Sequence, residues 1–441
     1  MRSDLISDSV TSYKSWDGHI RFRRMATDYL FWIVSVLYVA HDGATARGDR
    51  EMVRVPFLPR PSLGAPVDPE VFMNTTELIS SKGYPVEEHS VQTEDGYILG
   101  LQRIPHGINN TLSNGTKPVV FLQHGLLSSA TSFLENLANE SLAFILADAG
   151  MDVWLGNSRG NTYSKKHTHL TPDQDAFWEW SWDEMAEFDL PATIDYILKE
   201  TGQDQLYYIG HSQGGGIGLA AFSENQQLAK KIKLFFALAP AAYLGHLKSP
   251  LKLLTPFAGS IEFLWELLGH GQFFEKTVLS DLLAAEVCDA GVGNLLCENI
   301  LFLMSGFDPE QTNATRIPVY LGHHPAGTSV RNMIHFVQAI KSNKYQKFDF
   351  GSADANMDHY NQTTPPEYNV REMRVPTALF AGSNDWLTVP DDVDSLVHKL
   401  PNLIVNRVID GWSHVDFILA MNAPSTLYSD IISMIRNADR S

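Results

Sequence analysis

The sequence predicts an α/β fold with a mostly parallel central sheet that is interrupted by an inserted, mainly helical segment. Short apolar runs alternate with segments of helical periodicity, from PVVFLQHG (118–125) to LFFALAP (234–240). The alternation stops there and resumes with VPTALFAGSNDWL (375–387) and LIVNRVIDGWSHVDF (403–417). Runs that are apolar throughout are typical of parallel strands, because helices cover both faces of such a sheet.

The elements between these runs follow the same pattern. LAFILADAGMDVWLGNSRG (142–160) predicts a helix, a turn and a strand. EMAEFDLPATIDYILKETG (184–202) has apolar residues at helical spacing and ends at a glycine, which often terminates a helix. QLYYIG (205–210) predicts the next strand, and LAAFSENQQLAKKI (219–232) predicts the helix that follows it.

The break in the alternation predicts the domain organisation. We expect an N-terminal extension with a signal-like segment over residues 1–46 and a first part of the α/β core over residues 67–242. We expect a helical cap with a lid over residues 243–367 and the second part of the core over residues 368–441.

Composition excludes some functional classes. The chain has 441 residues, of which 44% are hydrophobic and 19% are charged, as is usual for a globular protein. Its formal net charge of −18 makes nucleic acid an unfavourable partner, because phosphate backbones attract basic surfaces. No metal or other cofactor is expected.

The N-terminus has the three parts of a secretory signal. Three arginines in HIRFRRMA precede the apolar run YLFWIVSVLYVA (29–40), and ATA (44–46) fits a small-residue cleavage site. Because twelve residues are short for a bilayer, a membrane anchor is the weaker alternative. The 20 residues upstream of the arginines are unusual for a signal, so Met25 is an alternative start to Met1.

Glycosylation and disulfide signals agree with secretory routing. Cys288 and Cys297 are the chain's two cysteines, and two glycines between them allow the chain to turn back. They form a disulfide or, alternatively, remain two buried thiols. N-x-S/T sequons, which are candidate glycosylation sites, begin at Asn74, Asn109, Asn114, Asn139, Asn313 and Asn361.

The segment LYYIGHSQGGGIGLAAF (206–222) carries the main chemical signal. GIGLAA resembles a loose dinucleotide fingerprint, but the motif comes late in the α/β region and the next strand does not end in an acid. No G-K-[ST] of a phosphate-binding loop is present, so a nucleotide is not expected as a ligand. GHSQG, between a strand and a helix, instead predicts a sharp turn that presents Ser212 as a nucleophile.

A second pentapeptide, GNSRG (156–160), fits the same G-x-S-x-G pattern. It also follows an apolar run, but the polar, turn-rich NTYSKKHTHLTPDQD comes next. No predicted helix there directs its N-terminal dipole toward an oxyanion. We therefore interpret GNSRG as a loop near the site and Ser212 as the nucleophile.

A serine nucleophile needs a base, and the base needs an orienting carboxylate. In this kind of sheet the acid and then the histidine follow the serine along the chain. Asp385 follows one strand-like run and His414 follows the next, so they are the preferred candidates. The rival candidates are Asp391, Asp392, Asp410 and Asp416 for the acid, and His398, on an apparent surface helix, for the base.

Two backbone N–H groups are needed to stabilise the tetrahedral oxyanion. The amide after the nucleophile belongs to Gln213. The loop after an early strand, in FLQHGLLSS, predicts the second donor at Leu126. We expect His124 to orient this loop and to take no part in proton transfer.

Taken together, these motifs resemble the acid lipase family of animals, which includes gastric and lysosomal lipases. The resemblance extends from about residue 67 to the end and includes LQHGLLSSATSF, GHSQGGG, HHPAGTSVRNMIHFVQAIKS and HVDFI. It implies a secreted or lysosomal α/β-hydrolase whose cap and lid cover the site. It also implies triacylglycerol or sterol ester substrates at an oil–water or membrane interface, and a disulfide that joins Cys288 to Cys297.

The same resemblance assigns the triad to Ser212, Asp385 and His414, and the oxyanion donors to Leu126 and Gln213. These are the residues that the strand order selects. The alternative function is a catalytically weak or inactive secreted lipid-binding protein on the same scaffold.

One pair of residues departs from the family pattern. Relatives typically have two threonines where this chain has Gly215 and Gly216. Because glycine weakens helices by about 0.5–1 kcal/mol relative to alanine, we expect a looser turn around the nucleophile. We also expect restoring both threonines to change turnover or thermal stability.

Overall fold

The structure is a computed structural model, and it describes residues 67–109, 116–249, 251–252, 255, 265, 271–273, 305–306 and 308–440. The signal-like segment, Asn114 and both cysteines lie outside the described residues. The predictions made for them therefore stay predictions.

Among the described residues, nine strands form the central sheet and two short strands form a second one. The order in the large sheet is β1-β2-β4-β3-β6-β7-β10-β11, with β5 paired to β2. The small sheet pairs β8 with β9. The strands are β1 Glu87–Gln92, β2 Tyr97–Ile104, β3 Val119–Gln123, β4 Asp152–Leu155, β5 Lys166–His167, β6 Leu206–His211, β7 Ile232–Leu238, β8 Gln272–Phe273, β9 Thr328–Ser329, β10 Thr377–Gly382 and β11 Leu403–Ile409.

The strand directions confirm the predicted α/β class. From β4 to β11 every neighbouring pair in the sheet is parallel, whereas β1, β2 and β5 pair antiparallel at one end. Every residue of β3, β6 and β10 is buried, which explains their uninterrupted apolar runs. The loops after these parallel strands lie at one edge of the sheet, where ligands bind in open α/β folds.

Helices cover both faces of the sheet. They are α1 Thr75–Ser81, α2 Leu142–Asp148, α3 Trp182–Glu184, α4 Leu190–Thr201, α5 Gln213–Glu224, α6 Gln226–Ala229, α7 Ile317–His323, α8 Val330–Ser342, α9 Ala353–Tyr360, α10 Pro390–Val397, α11 Asp416–Leu419 and α12 Ser429–Arg440. Short 3-10 turns span Pro69–Val71, Ala130–Phe133, Asp175–Trp178, Ala314–Arg316 and Val370–Glu372. Two π-helical turns span Met185–Asp189, between α3 and α4, and Pro424–Tyr428, before α12.

Two apolar clusters lie on opposite faces of the sheet. Phe121 and Tyr208 belong to the cluster that includes Ile194 of α4. The neighbouring strand residues Leu122 and Ile209 belong to the other cluster, which is covered by α2 and α12. Successive strand residues point to opposite faces, so this division is what a sheet covered on both sides requires.

The described part of the predicted cap is mainly helical. It contains α7, α8, α9 and the small β8–β9 sheet, and none of its described strands joins the large sheet. Phe336 and Ile340 of α8 pack into the core cluster that contains Phe121. Within the described residues, no helix combines the length and the apolar character needed to cross a membrane.

Candidate active site

Ser212 occupies the sharp turn between β6 and α5. Its backbone has φ 55° and ψ −119°, a conformation that is strained for a residue with a side chain. A Cβ on Gly210 would lie 2.5 Å from the Gly214 carbonyl oxygen, and one on Gly214 would lie 2.3 Å from that of Gln123. Both positions therefore require glycine, as the nucleophile motif predicts.

The two further glycines of this motif approach the segment after β7. A Cβ on Gly215 would lie 2.9 Å from Cβ of Pro240, and one on Gly216 would lie 2.3 Å from the Ala241 carbonyl oxygen. Tyr345 donates a hydrogen bond of 2.5 Å to the Gly216 carbonyl. The glycines thus allow α5 to pack closely against its neighbours, and the looser turn expected from their helix propensity stays a prediction.

The loop after β3 packs directly on Ser212. A Cβ on Gly125 would lie 2.9 Å from Cβ and 3.4 Å from Oγ of Ser212, so a side chain here would displace the serine. Leu126 follows, and Leu127 adopts a left-handed backbone with φ 58°. Among the residues that the structure describes, no backbone carbonyl accepts a hydrogen bond from the N–H of Leu126 or Gln213. The oxyanion-binding roles of these two N–H groups stay predictions.

His124 connects the loop after β3 to the GNSRG loop. Its Nδ1 donates to the Gly125 carbonyl at 2.8 Å, and its Nε2 accepts from the Ser158 N–H at 3.0 Å. Complete burial lowers the pKa of His124 to about 4, despite the hydrogen bond to Gly125. A neutral ring that uses both nitrogens in this way orients the loop, as predicted for this residue.

Asp385 lies in the loop after β10, where its carboxylate is fully buried. Oδ1 accepts hydrogen bonds from the N–H groups of Leu387 at 2.7 Å and Thr388 at 2.8 Å. Oδ2 accepts from the Thr388 hydroxyl at 2.7 Å and from Nδ1 of His414 at 2.8 Å. Burial alone raises the pKa, but His414 and these hydrogen bonds outweigh it, so the pKa of Asp385 lies below its ordinary value.

His414 lies in the loop after β11, and three contacts fix it. Its Nδ1 donates to Asp385, which leaves Nε2 as the nitrogen that can accept a proton. Its N–H donates to the Ser305 carbonyl at 3.1 Å. Its own carbonyl accepts from Nε2 of His211 at 2.9 Å, and His211 directly precedes Ser212. The histidine loop is therefore attached to the turn that carries the serine.

The remaining candidates from the sequence have other partners or are exposed. Ser158 of GNSRG is buried, and its hydroxyl accepts a hydrogen bond from Gln123. Asp392 binds His246 at 2.7 Å, and the Asp410 carboxylate accepts from Ser383. The side chain of Asp391 is exposed, Asp416 accepts from the Ser413 N–H, and His398 is exposed beside Asp394.

Two partners of the candidate triad could not be found from the motifs. Thr388, three residues after Asp385, binds both carboxylate oxygens, and His211 anchors the histidine loop. Each is adjacent to a predicted residue, but its role depends on backbone geometry that the sequence does not specify. Among the described residues, no group of three or more histidine, cysteine, aspartate or glutamate side chains could hold a metal ion.

Four of the five described sequons begin at an exposed asparagine. Asn74, Asn109, Asn139 and Asn361 are exposed, and Asn313 is half-buried. The Asn74 side chain caps α1 by accepting from the Glu77 N–H at 2.9 Å. Glycosylation at these positions stays a prediction.

Two sequence models of known families match the chain. The model of the alpha/beta hydrolase fold matches residues 118–420, and the model of a partial alpha/beta-hydrolase lipase region matches residues 75–137. With the parallel sheet and the serine turn after β6, this match identifies the chain as an α/β-hydrolase.

Curated relatives define the family more narrowly. The chain is 52% identical to gastric triacylglycerol lipase of Rattus norvegicus over 371 residues, which cover 84% of this chain and 93% of the relative. It is 53% identical to the human gastric lipase, covering 84% of this chain and 92% of the relative. It is 50% identical to human lysosomal acid lipase/cholesteryl ester hydrolase, with the same coverage. The chain belongs to the family of gastric and lysosomal acid lipases and is an ester hydrolase, which confirms the predicted resemblance.

Proposed function

We propose that this chain hydrolyses lipid esters through an acyl-enzyme formed on Ser212, with His414 as the base and Asp385 as its orienting carboxylate. The observation that carries this proposal is the 2.8 Å hydrogen bond from His414 to a buried Asp385, in a loop attached to the strained serine turn. Ester substrates need no cofactor for this chemistry.

The first half of the reaction acylates the serine. Ser212 Oγ attacks the ester carbonyl carbon while Nε2 of His414 accepts the hydroxyl proton. The carbonyl oxygen becomes an oxyanion, which accepts hydrogen bonds from the N–H groups of Leu126 and Gln213. The bond from carbon to the alcohol oxygen then breaks, and His414 gives its proton to the leaving alcohol.

The second half releases the acid. A water molecule attacks the acyl carbon, and His414 accepts one of its protons. The second tetrahedral intermediate forms in the same oxyanion site, and the bond to Ser212 Oγ breaks with proton return from His414. The products are an alcohol and a fatty acid, and the serine is restored.

The relatives' names support the substrate class and location. Triacylglycerol is named for the gastric lipases, and cholesteryl ester for the lysosomal one. We extend to this chain a triacylglycerol or sterol ester substrate and a secreted or lysosomal location. In the described part of the insertion, Asn332 of α8 contacts Gln213, so the predicted cap borders the proposed site.

Covalent labelling tests this proposal. We expect a fluorophosphonate probe to label the folded wild-type protein and to leave Ser212→Ala unlabelled. Ser158→Ala, which changes the serine of GNSRG, serves as the matched control and should be labelled like the wild type. Absence of labelling in well-folded wild-type protein would instead support the lipid-binding alternative. A panel of glycerol and sterol esters assayed from pH 4 to pH 8 would then identify the preferred substrate.

A further inference from the structure

One segment of the insertion contacts Gln213 and the residue next to Leu126 in the proposed oxyanion site. The N–H of Ala326 donates a hydrogen bond of 2.7 Å to the carbonyl of Leu127, the residue after Leu126. Six residues later, Nδ2 of Asn332 donates a hydrogen bond of 2.8 Å to Oε1 of Gln213. The two halves of the site come from loops after β3 and β6, and this segment joins them.

Asn332 is itself rigidly held. It lies in the first turn of α8, where its N–H donates to the hydroxyl of the helix-capping Ser329 at 2.9 Å. Its Nδ2 also donates to the Thr328 hydroxyl at 3.0 Å. Asn332 is fully buried.

Gln213 depends on this contact for its side-chain orientation. The glutamine is 3% exposed, and its Nε2 lies 3.4 Å from the thioether sulfur of Met185, which is a weak acceptor. Within the described part of the chain, Asn332 is the strong hydrogen-bond partner of this side chain. The same residue supplies the proposed oxyanion donor from its backbone N–H.

We infer that Asn332 is a positioning residue for the oxyanion site, which it orients through the amide–amide hydrogen bond to Gln213. This inference rests on the proposed function. Catalysis by preorganised N–H donors is sensitive to small displacements, because misplacement by about 1 Å can cost about 100-fold in rate. Asn332, on a helix of the predicted cap, would thus help to position a catalytic group of the core.

A purely structural role for Asn332 is the competing explanation, and Asn356 provides the control. Asn356 is also a buried asparagine of the insertion, at 3% exposure on α9. Its side chain bonds Asp349 and the N–H of Phe350, and it has no bond to either proposed oxyanion residue. Asn356→Leu should therefore lower stability and leave the kinetics of the site unchanged.

The experiment compares Asn332→Leu with Asn356→Leu in the full chain. We would measure kcat and KM on a soluble short-chain p-nitrophenyl ester, inhibition by an alkyl boronic acid, and Tm. For Asn332→Leu we expect kcat to fall about 10- to 100-fold with KM within about threefold. The tetrahedral adduct of a boronic acid places an oxygen in the oxyanion site. We therefore expect the boronic acid to bind Asn332→Leu at least about tenfold more weakly than the wild type.

A double-mutant cycle tests the route of the effect. In a Gln213→Leu background, Asn332→Leu should have little further effect on kcat, because both changes remove the same bond. If Asn332→Leu does not fold, Asn332→Ser is measured against the same criteria. The inference fails if the Asn332 variants lose only Tm, as Asn356→Leu does, or if the two effects on kcat are additive. Failure of the proposed function is distinct, since wild-type protein would then escape fluorophosphonate labelling.

Discussion

Asp385 has a single orientation because four hydrogen bonds fix its two oxygens, and one of these comes from His414. We predict that Asp385→Asn lowers kcat by about 10³- to 10⁴-fold, because an amide cannot hold the histidine in the proton-accepting tautomer. Steady-state kinetics on a soluble ester would measure this. Asp392→Asn changes an equally buried aspartate that binds His246, and it should leave kcat near the wild-type value. A loss of less than tenfold in Asp385→Asn would contradict the proposed role.

Gly125 lies against Ser212, the proposed nucleophile, so alanine, which has the smallest side chain, tests that contact. A Cβ there would lie 2.9 Å from Cβ of Ser212 and would displace the serine or the loop that carries Leu126. We predict that Gly125→Ala slows fluorophosphonate labelling about 10- to 100-fold.

Gly271→Ala provides the control for this substitution. Its Cβ would meet Trp178 at 3.6 Å, an ordinary contact, and no unfavourable backbone conformation opposes alanine there. We expect its labelling rate to match the wild type. An unchanged labelling rate in Gly125→Ala would show that the loop adjusts without cost.

At the scale of elements, replacing Gly216 of α5 by alanine has two opposing effects on stability. Alanine favours a helix over glycine by about 0.5–1 kcal/mol, but its Cβ would lie 2.3 Å from the Ala241 carbonyl oxygen. A backbone carbonyl cannot rotate away as a flexible side chain can, and overpacking costs about 1–3 kcal/mol. The clash therefore outweighs the helix propensity, and we predict a lower Tm for Gly216→Ala in thermal unfolding.

The threonine pair of relatives extends this prediction. Replacing Gly215 and Gly216 together by threonine should lower Tm further, because Pro240 also lies within 2.9 Å of a Cβ on Gly215. A Tm and a kcat both equal to those of the wild type would contradict the importance of these glycines.

Local patterns were sufficient for the elements that surround the site. The glycine predicted to end the helix over 184–202 adopts φ 66° directly after α4. The apolar run at 118–125 contains β3, and the run at 205–210 covers β6 except for its last residue, His211. Periodicity did not reveal the π-helical turn Met185–Asp189 inside the predicted helix. It also did not predict the antiparallel pairing of β1 with β2, which depends on tertiary contacts.

The candidate site was predictable to the same extent. Strand order selected Ser212, Asp385 and His414 as candidates, because each follows a parallel strand, and their catalytic roles stay predictions. Asn332 could not be selected, since its bond to Gln213 joins residues 119 positions apart. No spacing rule connects a helix of the insertion with a side chain in the core.

At the scale of the whole molecule, buried carboxyls make stability depend on pH. Burial raises the pKa of Asp416 to about 7; the Ser413 N–H opposes this shift, and Asp308 and Asp385 reinforce it. Burial likewise raises the pKa of Asp183 to about 6. A raised carboxyl pKa means that the folded state binds the proton more tightly than the unfolded chain. The contribution of these two carboxyls to the free energy of unfolding is therefore complete below about pH 4, and it is lost as the pH rises through 6 to 7.

Buried histidines act in the opposite direction. Burial lowers the pKa of His124 to about 4 and the pKa of His211 and His335 to about 3. Below about pH 6.5 these three histidines bind protons in the unfolded chain but stay neutral in the folded protein. The histidines therefore lower the free energy of unfolding as the pH falls. A variant must therefore be compared with the wild type at each pH.

Asp416→Asn isolates one of these groups. We predict that its Tm relative to the wild type rises between pH 5 and pH 8, because asparagine remains neutral where the buried aspartate ionises. Thermal unfolding at intervals of one pH unit would measure the difference. A difference in Tm that does not vary with pH would show that Asp416 has an ordinary pKa in the folded protein.

The bond from His211 to the His414 carbonyl joins residues 203 positions apart, and β11 is the last strand in the described part of the chain. During synthesis, β3, β6 and the whole insertion leave the ribosome before the histidine loop exists. A nascent chain that ends before β11 would carry its serine turn without the proposed base. Catalytic competence should therefore arise in one late step, when the C-terminal strand docks at the edge of the sheet.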